Sequence, residues 1–178
     1  IRQLGNGLYL ARHHEDALSV MEAELSMLRR GGAPEEDVLR ARSNLANTYA
    51  RLGRNEEALQ IKRDVYYGQL KLNGEENRDT LMAANNYADS LNNLQRFEEG
   101  KSLLRRAISV ARRVLGEGNE LTLQMSANYA TALCTDDDAT LDDLREGVTT
   151  SEEIERIARR VLGGAHPLTA ALERNLQA

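Results

Sequence analysis

The stretch SNLANTYARLGRNEEA, residues 43–58, decides the fold because related copies of it return at a fixed distance. NNYADSLNNLQRFEEG occupies residues 85–100 and ANYATALCTDDDATLD occupies residues 127–142, so one asparagine recurs every 42 residues, at Asn44, Asn86 and Asn128. A period of about 20–50 residues is typical of solenoids built from stacked helical or strand units. The chain is therefore expected to be an array of repeated units.

The segments between these copies repeat as well. Glycines 42 residues apart end three of the units, and a fourth glycine follows after 47: Gly32, Gly74, Gly116 and Gly163. A degenerate copy precedes them at residues 3–17, and residues 174–176 begin a further one. We divide the chain into repeats at about 1–35, 36–77, 78–119 and 120–166, with a partial repeat at 167–178. We interpret residues 1–178 as a single array and as a fragment of a longer protein.

Each unit reads as two helices, A and B. Helix A is expected to begin near Thr80, Thr122 or Thr169, and Pro167 is a favourable first helical residue. Helix B is expected to begin at an acidic pair and to end at the glycine, with arginine pairs such as Arg112-Arg113 in its last turn. Acidic residues at the start and basic residues at the end of a helix complement its dipole. Abundant Ala, Leu, Arg and Glu support an all-α chain.

This pattern resembles the tetratricopeptide repeat family, in the 42-residue form found in kinesin light chains. The resemblance rests on N-L-A-x-x-Y-x-x-x-G-R-x-x-E-A at 44–58 and on L-G-x-x-H-P-x-T at 162–169. It implies a right-handed superhelical solenoid of antiparallel helix pairs, in which the A helices line a concave groove. HEAT-type repeats share the period, but they lack paired small residues such as Ala46 and Ala58, which let helices A and B approach closely.

Polar side chains form a stripe on each helix A. With 100° per residue, the four asparagines of 85–100 and Asp89 fall on one face, while Ala84, Ala88 and Leu91 fall on the core face. Successive A helices would align these stripes, and side-chain amides can pair with any extended peptide backbone. The predicted peptide-binding residues are Asn44, Asn47, Arg51, Asn85, Asn86, Asp89, Asn93, Asn128, Thr131 and Asn175. The alternative is that some of these amides bond to neighbouring helices.

The resemblance implies that one asparagine per repeat reaches the bound peptide; these are Asn44, Asn86, Asn128 and Asn175. Family members that bind acidic-tryptophan peptides carry a basic residue five positions before the loop glycine. This chain has Gln69, Ala111 and Ala158 there, so the peptide preference need not carry over. The predicted function is a scaffold that binds a protein or peptide partner. The alternative is a structural or self-assembly scaffold that has no ligand in its groove and makes contacts through its edges or outer faces, for example through an apolar end at Leu172 and Leu176.

The sequence argues against other classes of function. A net charge of −5 with 4% aromatic residues argues against nucleic acid, and no apolar run is long enough for a membrane helix. The single cysteine, Cys134, excludes an internal disulfide and indicates a reducing compartment, so we expect a cytoplasmic protein. His13-His14-Glu15 lacks the helical i, i+4 spacing of a metal site. We expect no enzyme, no metal and no cofactor.

The fourth repeat is five residues longer than the others, and the extra residues fall between Thr135 and Glu153. Five residues inserted inside a helix would rotate its apolar face by about 140° relative to the core. The segment 147–151 contains a glycine and two threonines and ends at Ser151, after which two glutamates follow. We therefore predict that helix B splits there, with Ser151 capping the second part, and that the aspartates at 136–138 cap helix B.

Overall fold

The computed structural model describes the backbone of residues 2–177 and the side chains of residues 2–174. Within this part of the chain, all regular secondary structure is α-helical. The elements are α1 (Arg2–Leu10), α2 (His14–Arg30), α3 (Glu35–Arg51), α4 (Asn55–Asn73), α5 (Arg78–Asn93), α6 (Phe97–Leu115), α7 (Glu120–Thr135), α8 (Leu141–Val161) and α9 (Pro167–Gln177). The predicted succession of A and B helices is confirmed, including the degenerate first pair α1–α2.

The helices group into two compact units that divide between Gly74 and Glu75. The first unit contains α1 to α4, and the second contains α5 to α9. In each unit, every helix packs against the next one along the chain, as in a stack of helical hairpins.

The core of the first unit lies between α2 and α3. It consists of Leu18, Met21, Leu25, Val38, Ala41 and Leu45, all of them buried. Ala46 of α3 and Ala58 of α4 are 0% and 1% exposed, so small side chains allow these two helices to approach as predicted. The apolar positions of the repeat thus fill an interior, and each Å² of apolar surface that they remove from water contributes about 25 cal/mol.

In the second unit, the apolar face predicted for α5 is buried at Ala84, Ala88 and Leu91. Towards the other end, Leu123, Ile154, Ile157, Ala158 and Leu172 form a shared cluster of α7, α8 and α9. The expectation of an exposed apolar end at Leu172 is wrong, because α9 folds back on α8 and Leu172 is 3% exposed. The side chain of Leu176 lies outside the described residues.

The A helices α5 and α7 begin two residues before the repeated threonines. Asn77 accepts a hydrogen bond from the Asp79 backbone N–H at 2.8 Å, and Asn119 accepts one from Leu121 at 3.0 Å. An asparagine cap satisfies an N–H group that has no partner inside the helix, so the helix starts directly after it. The next A helix, α9, begins at Pro167, as predicted.

The B helices α4 and α6 end at glycines with positive φ. Gly74 has φ 78° and Gly116 has φ 92°, and Gly32 and Gly163, in the loops after α2 and α8, have φ 63° and 89°. A residue with a side chain is strained in this left-handed region, so the 42-residue glycine spacing marks the point where each B helix turns back. The acidic first turns and the basic last turns of α2, α4, α6 and α8 are also as predicted.

The predicted split of helix B in the fourth repeat is wrong. Helix α8 runs without interruption from Leu141 to Val161, and Ser151 lies inside it, with its hydroxyl donating to the Gly147 carbonyl at 2.9 Å. The helix is capped by Thr140, which accepts a hydrogen bond from the Asp143 N–H, while Asp143 accepts one from the Thr140 N–H. This reciprocal pair is a capping box.

The five extra residues leave the packed face of α8 in phase because they precede it. The loop before α8 has five residues, where the loops before α4 and α6 have three. Three further residues extend the N-terminal turn of α8, so that Gly147 occupies the position of Gly100 in α6 and Ala58 in α4. All three are buried. The insertion is therefore absorbed before the first interhelical contact, and no rotation of the apolar face results.

Candidate functional site

The polar stripe of the second unit contains a group of side chains that bridge α5 and α7. Asn85 is 9% exposed, and its side-chain oxygen accepts a hydrogen bond from Asn128 Nδ2 at 2.9 Å. Asn92 Nδ2 donates to the backbone carbonyl of Asn128 at 3.2 Å. The expectation that all the asparagines avoid the interior therefore fails at Asn85. The A helices of this unit pack side by side, so the edge of the α5 stripe faces the neighbouring helix and not solvent.

The position of the Asn92 side chain also explains why residue 100 is a glycine. The Asn92 side-chain oxygen occupies the space where a Cβ atom of Gly100 would lie, and the same pair of positions holds Cys134 and Gly147 in the next repeat. In the second repeat the two positions hold Ala50 and Ala58. A larger residue on helix A is thus matched by glycine on helix B. The predicted binding site does not include Asn92. The structural role of Asn92 can be read from the repeat alignment, in which a larger residue at this position is paired with a glycine in helix B.

The remaining predicted residues of the second unit keep their side chains open to solvent to different degrees. Asn86 and Asp89 are half-buried, while Asn93 and Thr131 are exposed. Asn93 donates to the Asp89 carboxylate at 3.4 Å. The Asn86 amide forms no hydrogen bond with any of residues 2–174, and solvent reaches it. Of the two motif asparagines of this unit whose side chains are described, Asn86 is thus the one without a hydrogen bond to the protein, since Asn128 bonds to Asn85.

The first unit contributes Asn44, Asn47 and Arg51 from α3. Asn44 and Asn47 are half-buried, and neither side-chain amide bonds to a described residue. Arg51 is exposed and donates through Nε to the hydroxyl of Tyr9 on α1, at 3.2 Å. This hydrogen bond raises the pKa of the Arg51 guanidinium. The stripe of this unit thus carries two amides that are available to a ligand and one cation held in place by a tyrosine.

The last predicted site residue, Asn175, has its side chain outside the described residues. The three positions that carry a basic residue in some family members lie in the core, with exposures of 6% for Gln69 and 0% for Ala111 and Ala158. Gln69 accepts a hydrogen bond from Asn73 at 2.7 Å.

The other sequence motifs are placed as follows. His13 is exposed at the start of α2, and the ring of His14 packs against Tyr9 with 5.3 Å between the ring centroids. Burial raises the pKa of the Cys134 thiol, which disfavours the thiolate. No three His, Cys, Asp or Glu side chains among residues 2–174 are grouped to hold a metal ion. In the described part of the chain, no helix has the length and apolarity that crossing a membrane requires.

Asp136, the first of the aspartates at 136–138, bonds to helix α6 and takes no part in the capping box of α8. Asp136 accepts a hydrogen bond from Lys101 Nζ at 2.8 Å and joins the loop before α8 to helix α6. Burial lowers the pKa of Lys101, but its hydrogen bonds to Asp136 and Glu98 outweigh this effect, so the pKa is raised overall. The hydrogen bond from Lys101 also lowers the pKa of Asp136. Only Asp143 takes part directly in capping α8, since the reciprocal bonds with Thr140 involve no other aspartate.

Comparison with known proteins identifies the fold. The profile of the tetratricopeptide repeat family matches residues 38–79 and 80–120. The chain is similar to the crystal structure of a Podosopora anserina protein assigned as a kinesin light chain with nearly identical TPR-like repeats. That structure has a TM-score of 0.79 and 19% identity, over 98% of this chain and 81% of the other. A single-substitution variant of the same protein has a TM-score of 0.81 at 19% identity, over 98% of this chain and 80% of the variant.

A third solved structure gives a similar result. BtubC (BKLC) from P. vanneervenii has a TM-score of 0.81 and 18% identity, over 97% of this chain and 67% of that protein. No curated protein matches the sequence. Tetratricopeptide repeats are in general protein-interaction scaffolds, and their partners are proteins. The two matched segments, the helical pairs and the 42-residue period agree: residues 38–120 are tetratricopeptide repeats, and the chain has the fold of the kinesin light chain-like repeat structures.

Proposed function

We propose that the A helices of each unit bind an extended segment of a partner protein through the side-chain amides that remain open to solvent. The observation that carries the proposal is the lack of a hydrogen-bond partner for the side-chain amides of Asn44 and Asn86 among the described residues. Both are motif asparagines, both are half-buried, and neither amide bonds to a described residue. Asparagine has a lower helix propensity than alanine by roughly 0.5 kcal/mol or more, and an interhelical hydrogen bond offsets this cost at Asn85. At Asn44 and Asn86 no such bond exists, and a ligand would supply it.

The amide chemistry suggests what is bound. A side-chain amide offers two donors and one acceptor oxygen, which match the C=O and N–H groups of an extended peptide. Asp89 lies one helical turn from Asn86 and adds an acceptor. Such a surface binds the partner mainly through its main chain, so the partner's side chains would contribute less to affinity than its extended conformation.

The test begins with peptide ligands selected from a displayed peptide library on the purified chain. Each selected peptide is titrated by fluorescence anisotropy against the wild type, Asn86→Ala and Asn44→Ala. A peptide bound by the second unit is expected to lose about 1 kcal/mol of binding free energy, or about fivefold in Kd, with Asn86→Ala, because one hydrogen bond is lost. A peptide bound by the first unit is expected to lose as much with Asn44→Ala. Asn55→Ala, at the exposed start of α4, is the matched control and should leave the Kd unchanged.

A second measurement tests main-chain binding itself. N-methylation of the peptide at successive positions removes one backbone donor at a time, while alanine substitution changes only side chains. The proposal expects N-methylation to weaken binding at positions where alanine is tolerated. Unchanged affinity for Asn44→Ala and Asn86→Ala would contradict the use of these amides.

A further inference from the structure

A polar cavity lies in the unit formed by α5 to α9, away from the amide stripe. Helices α6, α7 and α8 line this open cavity, and its volume of about 530 Å³ is in the range of ligand pockets. Its lining is basic and hydroxylic, with Arg105, Ser109 and Arg112 on α6 and Thr150 on α8. Arg105, Ser109 and Arg112 are spaced i, i+4 and i+7, so all three project from one face of α6.

The wall of the cavity is held in place by a buried tyrosine. Tyr129 is 6% exposed, and its hydroxyl accepts hydrogen bonds from Arg105 Nη2 at 2.7 Å and Nε at 3.2 Å. The same hydroxyl donates to Glu146 at 2.8 Å. Arg105 and Glu146 are thereby both tied to one phenol hydroxyl. The guanidinium of Arg105 keeps further N–H groups free for a ligand, since only Nε and one Nη are used.

One cation of the cavity has no counter-ion among the described residues. Arg113 pairs with Glu76 at 2.9 Å, and Arg105 is tied to Tyr129, but Arg112 forms no ion pair or hydrogen bond with any of residues 2–174. With Arg113 compensated by Glu76, the lining keeps two guanidinium groups, those of Arg105 and Arg112, for one carboxylate, that of Glu146. The cavity is therefore positive on a chain whose net charge is −5.

The repeat alignment shows where this lining differs between repeats. Arg112 takes the position of Leu70 in α4, although α8 has Arg159 there, and Thr150 takes the position of Leu103, a core residue that is 6% exposed. Threonine is smaller than leucine, so the exchange at residue 150 opens space and introduces a hydrogen-bond donor. Packing alone would favour leucine at this position.

We propose that this cavity binds an acidic side chain of a partner protein. The carboxylate would lie between Arg112, Ser109 and the free N–H groups of Arg105, on the side away from Glu146. The neighbouring apolar surface of Ile108 would contact the stem of the bound residue. The inference rests on the proposed scaffold function, but it uses a surface separate from the Asn86 amide, so the two can fail independently.

The probe is a fluorescein-labelled hexapeptide of glutamate, compared with the matching hexapeptide of glutamine. We expect the glutamate peptide to bind at least about tenfold more tightly and to shift the amide resonances of Ser109 and Thr150 in an ¹⁵N NMR titration. Arg112→Gln should weaken binding about tenfold, because a charge-assisted hydrogen bond is lost. Arg106→Gln, an exposed arginine on the same helix, removes the same charge and should change the Kd less than about twofold.

Equal weakening by Arg112→Gln and Arg106→Gln would overturn the proposal, since it would show diffuse charge attraction. So would resonance shifts centred on Asn86, or equal binding of the two peptides. A phosphoserine peptide that binds more tightly, and that also depends on Arg112, would support the site and assign phosphate as its preferred group. Binding of inorganic phosphate together with failure of both acidic peptides would overturn the peptide assignment. Thermal unfolding of each variant establishes that it is folded.

Discussion

The third and fourth helix pairs, α5–α6 and α7–α8, use the same contact positions but differ in how their helices are joined. In both, a glycine of helix B packs against a larger residue of helix A, as Gly100 does against Asn92 and Gly147 does against Cys134. The turn has three residues in the third pair, whereas the fourth has a five-residue loop and a capping box. The comparison teaches that the repeat is defined by where its helices touch, and that loops and first turns accommodate changes in length.

The largest effect is expected for Gly147→Ala. A Cβ atom there would lie 2.5 Å from the Cys134 sulfur and 3.3 Å from the Ala130 carbonyl oxygen. Overpacking of this kind costs about 1–3 kcal/mol, and the higher helix propensity of alanine offsets about 1 kcal/mol. We expect the free energy of unfolding, measured in urea, to fall by up to about 2 kcal/mol.

The matched experiment is Gly100→Ala, alone and with Asn92→Ala. In the third pair the close neighbour of the new Cβ is a side-chain oxygen, so the double variant recreates the Ala50–Ala58 pair of the second repeat. Because Asn92→Ala alone removes the hydrogen bond to the Asn128 carbonyl, it is the reference, and Gly100→Ala should cost little when added to it. Cys134→Ala should rescue Gly147→Ala only in part, because a backbone carbonyl also lies near. Full and equal rescue in both pairs would show that the two contacts do not differ as described.

A slightly smaller effect is expected for Asn85→Ala. This residue joins α5 to α7, and its removal leaves the Asn128 donor without a protein partner. We expect a loss of about 1–1.5 kcal/mol in the free energy of unfolding, measured by urea denaturation. Asn93→Ala on the exposed part of the same stripe should change stability by less than about 0.5 kcal/mol. Similar values for the two variants would argue that Asn85 has no bridging role.

The contrast between Asn85 and Asn93 also shows what could be predicted from the sequence. Helix identity, the two-helix repeat and the glycine turns followed from periodicity, since each depends on local chemistry that recurs every 42 residues. The partner of each polar side chain could not be predicted in this way. A helical wheel gives the direction in which a side chain points, but it does not say which helix lies in that direction. The stripe was placed correctly on α5, yet Asn85 proved buried against α7.

The insertion in the fourth repeat gives the same lesson. The location of the five residues was predictable, but the sequence around Gly147 was read as a helix breaker. Glycine inside a helix is destabilising by about 1 kcal/mol, and this cost is tolerated here because the close approach to α7 requires it. The cavity between α6, α7 and α8 was missed, although the replacement of Leu70 and Leu103 by Arg112 and Thr150 is visible in the repeat alignment.

The next prediction concerns the connection that distinguishes the fourth pair. Thr140→Ala removes the side-chain acceptor of the capping box, and the loss of such a cap costs about 1 kcal/mol. The melting temperature should fall accordingly in calorimetry. Thr149→Ala, an exposed position inside α8, should leave it unchanged or raise it slightly, since alanine favours helix. An equal fall in both variants would contradict the role of the cap.

A further prediction uses pH. Lys101 lowers the pKa of Asp136 below its ordinary value of 3.8, so the folded state favours the charged carboxylate. The resulting stability is present above the ordinary pKa and is lost as the pH falls through the lowered one. Asp136→Asn should therefore reduce stability at pH ~7, and its difference from the wild type should shrink on acidification below about pH 4. Asp137→Asn, on an exposed neighbour, is the control. A difference that is constant with pH would contradict the pairing.

The smallest effect is expected in the turn of the third pair. Gln95 has φ 59°, a left-handed conformation, at the position that Gly53 occupies with φ 76° in the preceding repeat. A side chain in this region costs about 1 kcal/mol, but glycine also gives the unfolded chain more freedom. Gln95→Gly should therefore stabilise the protein by only about 0.5 kcal/mol in urea unfolding, and Gly53→Gln should destabilise it by a similar amount. Opposite signs for the reciprocal exchanges would show that the repeats share one turn geometry, whereas a loss in both would mean that the Gln95 side chain stabilises the turn by contacts of its own.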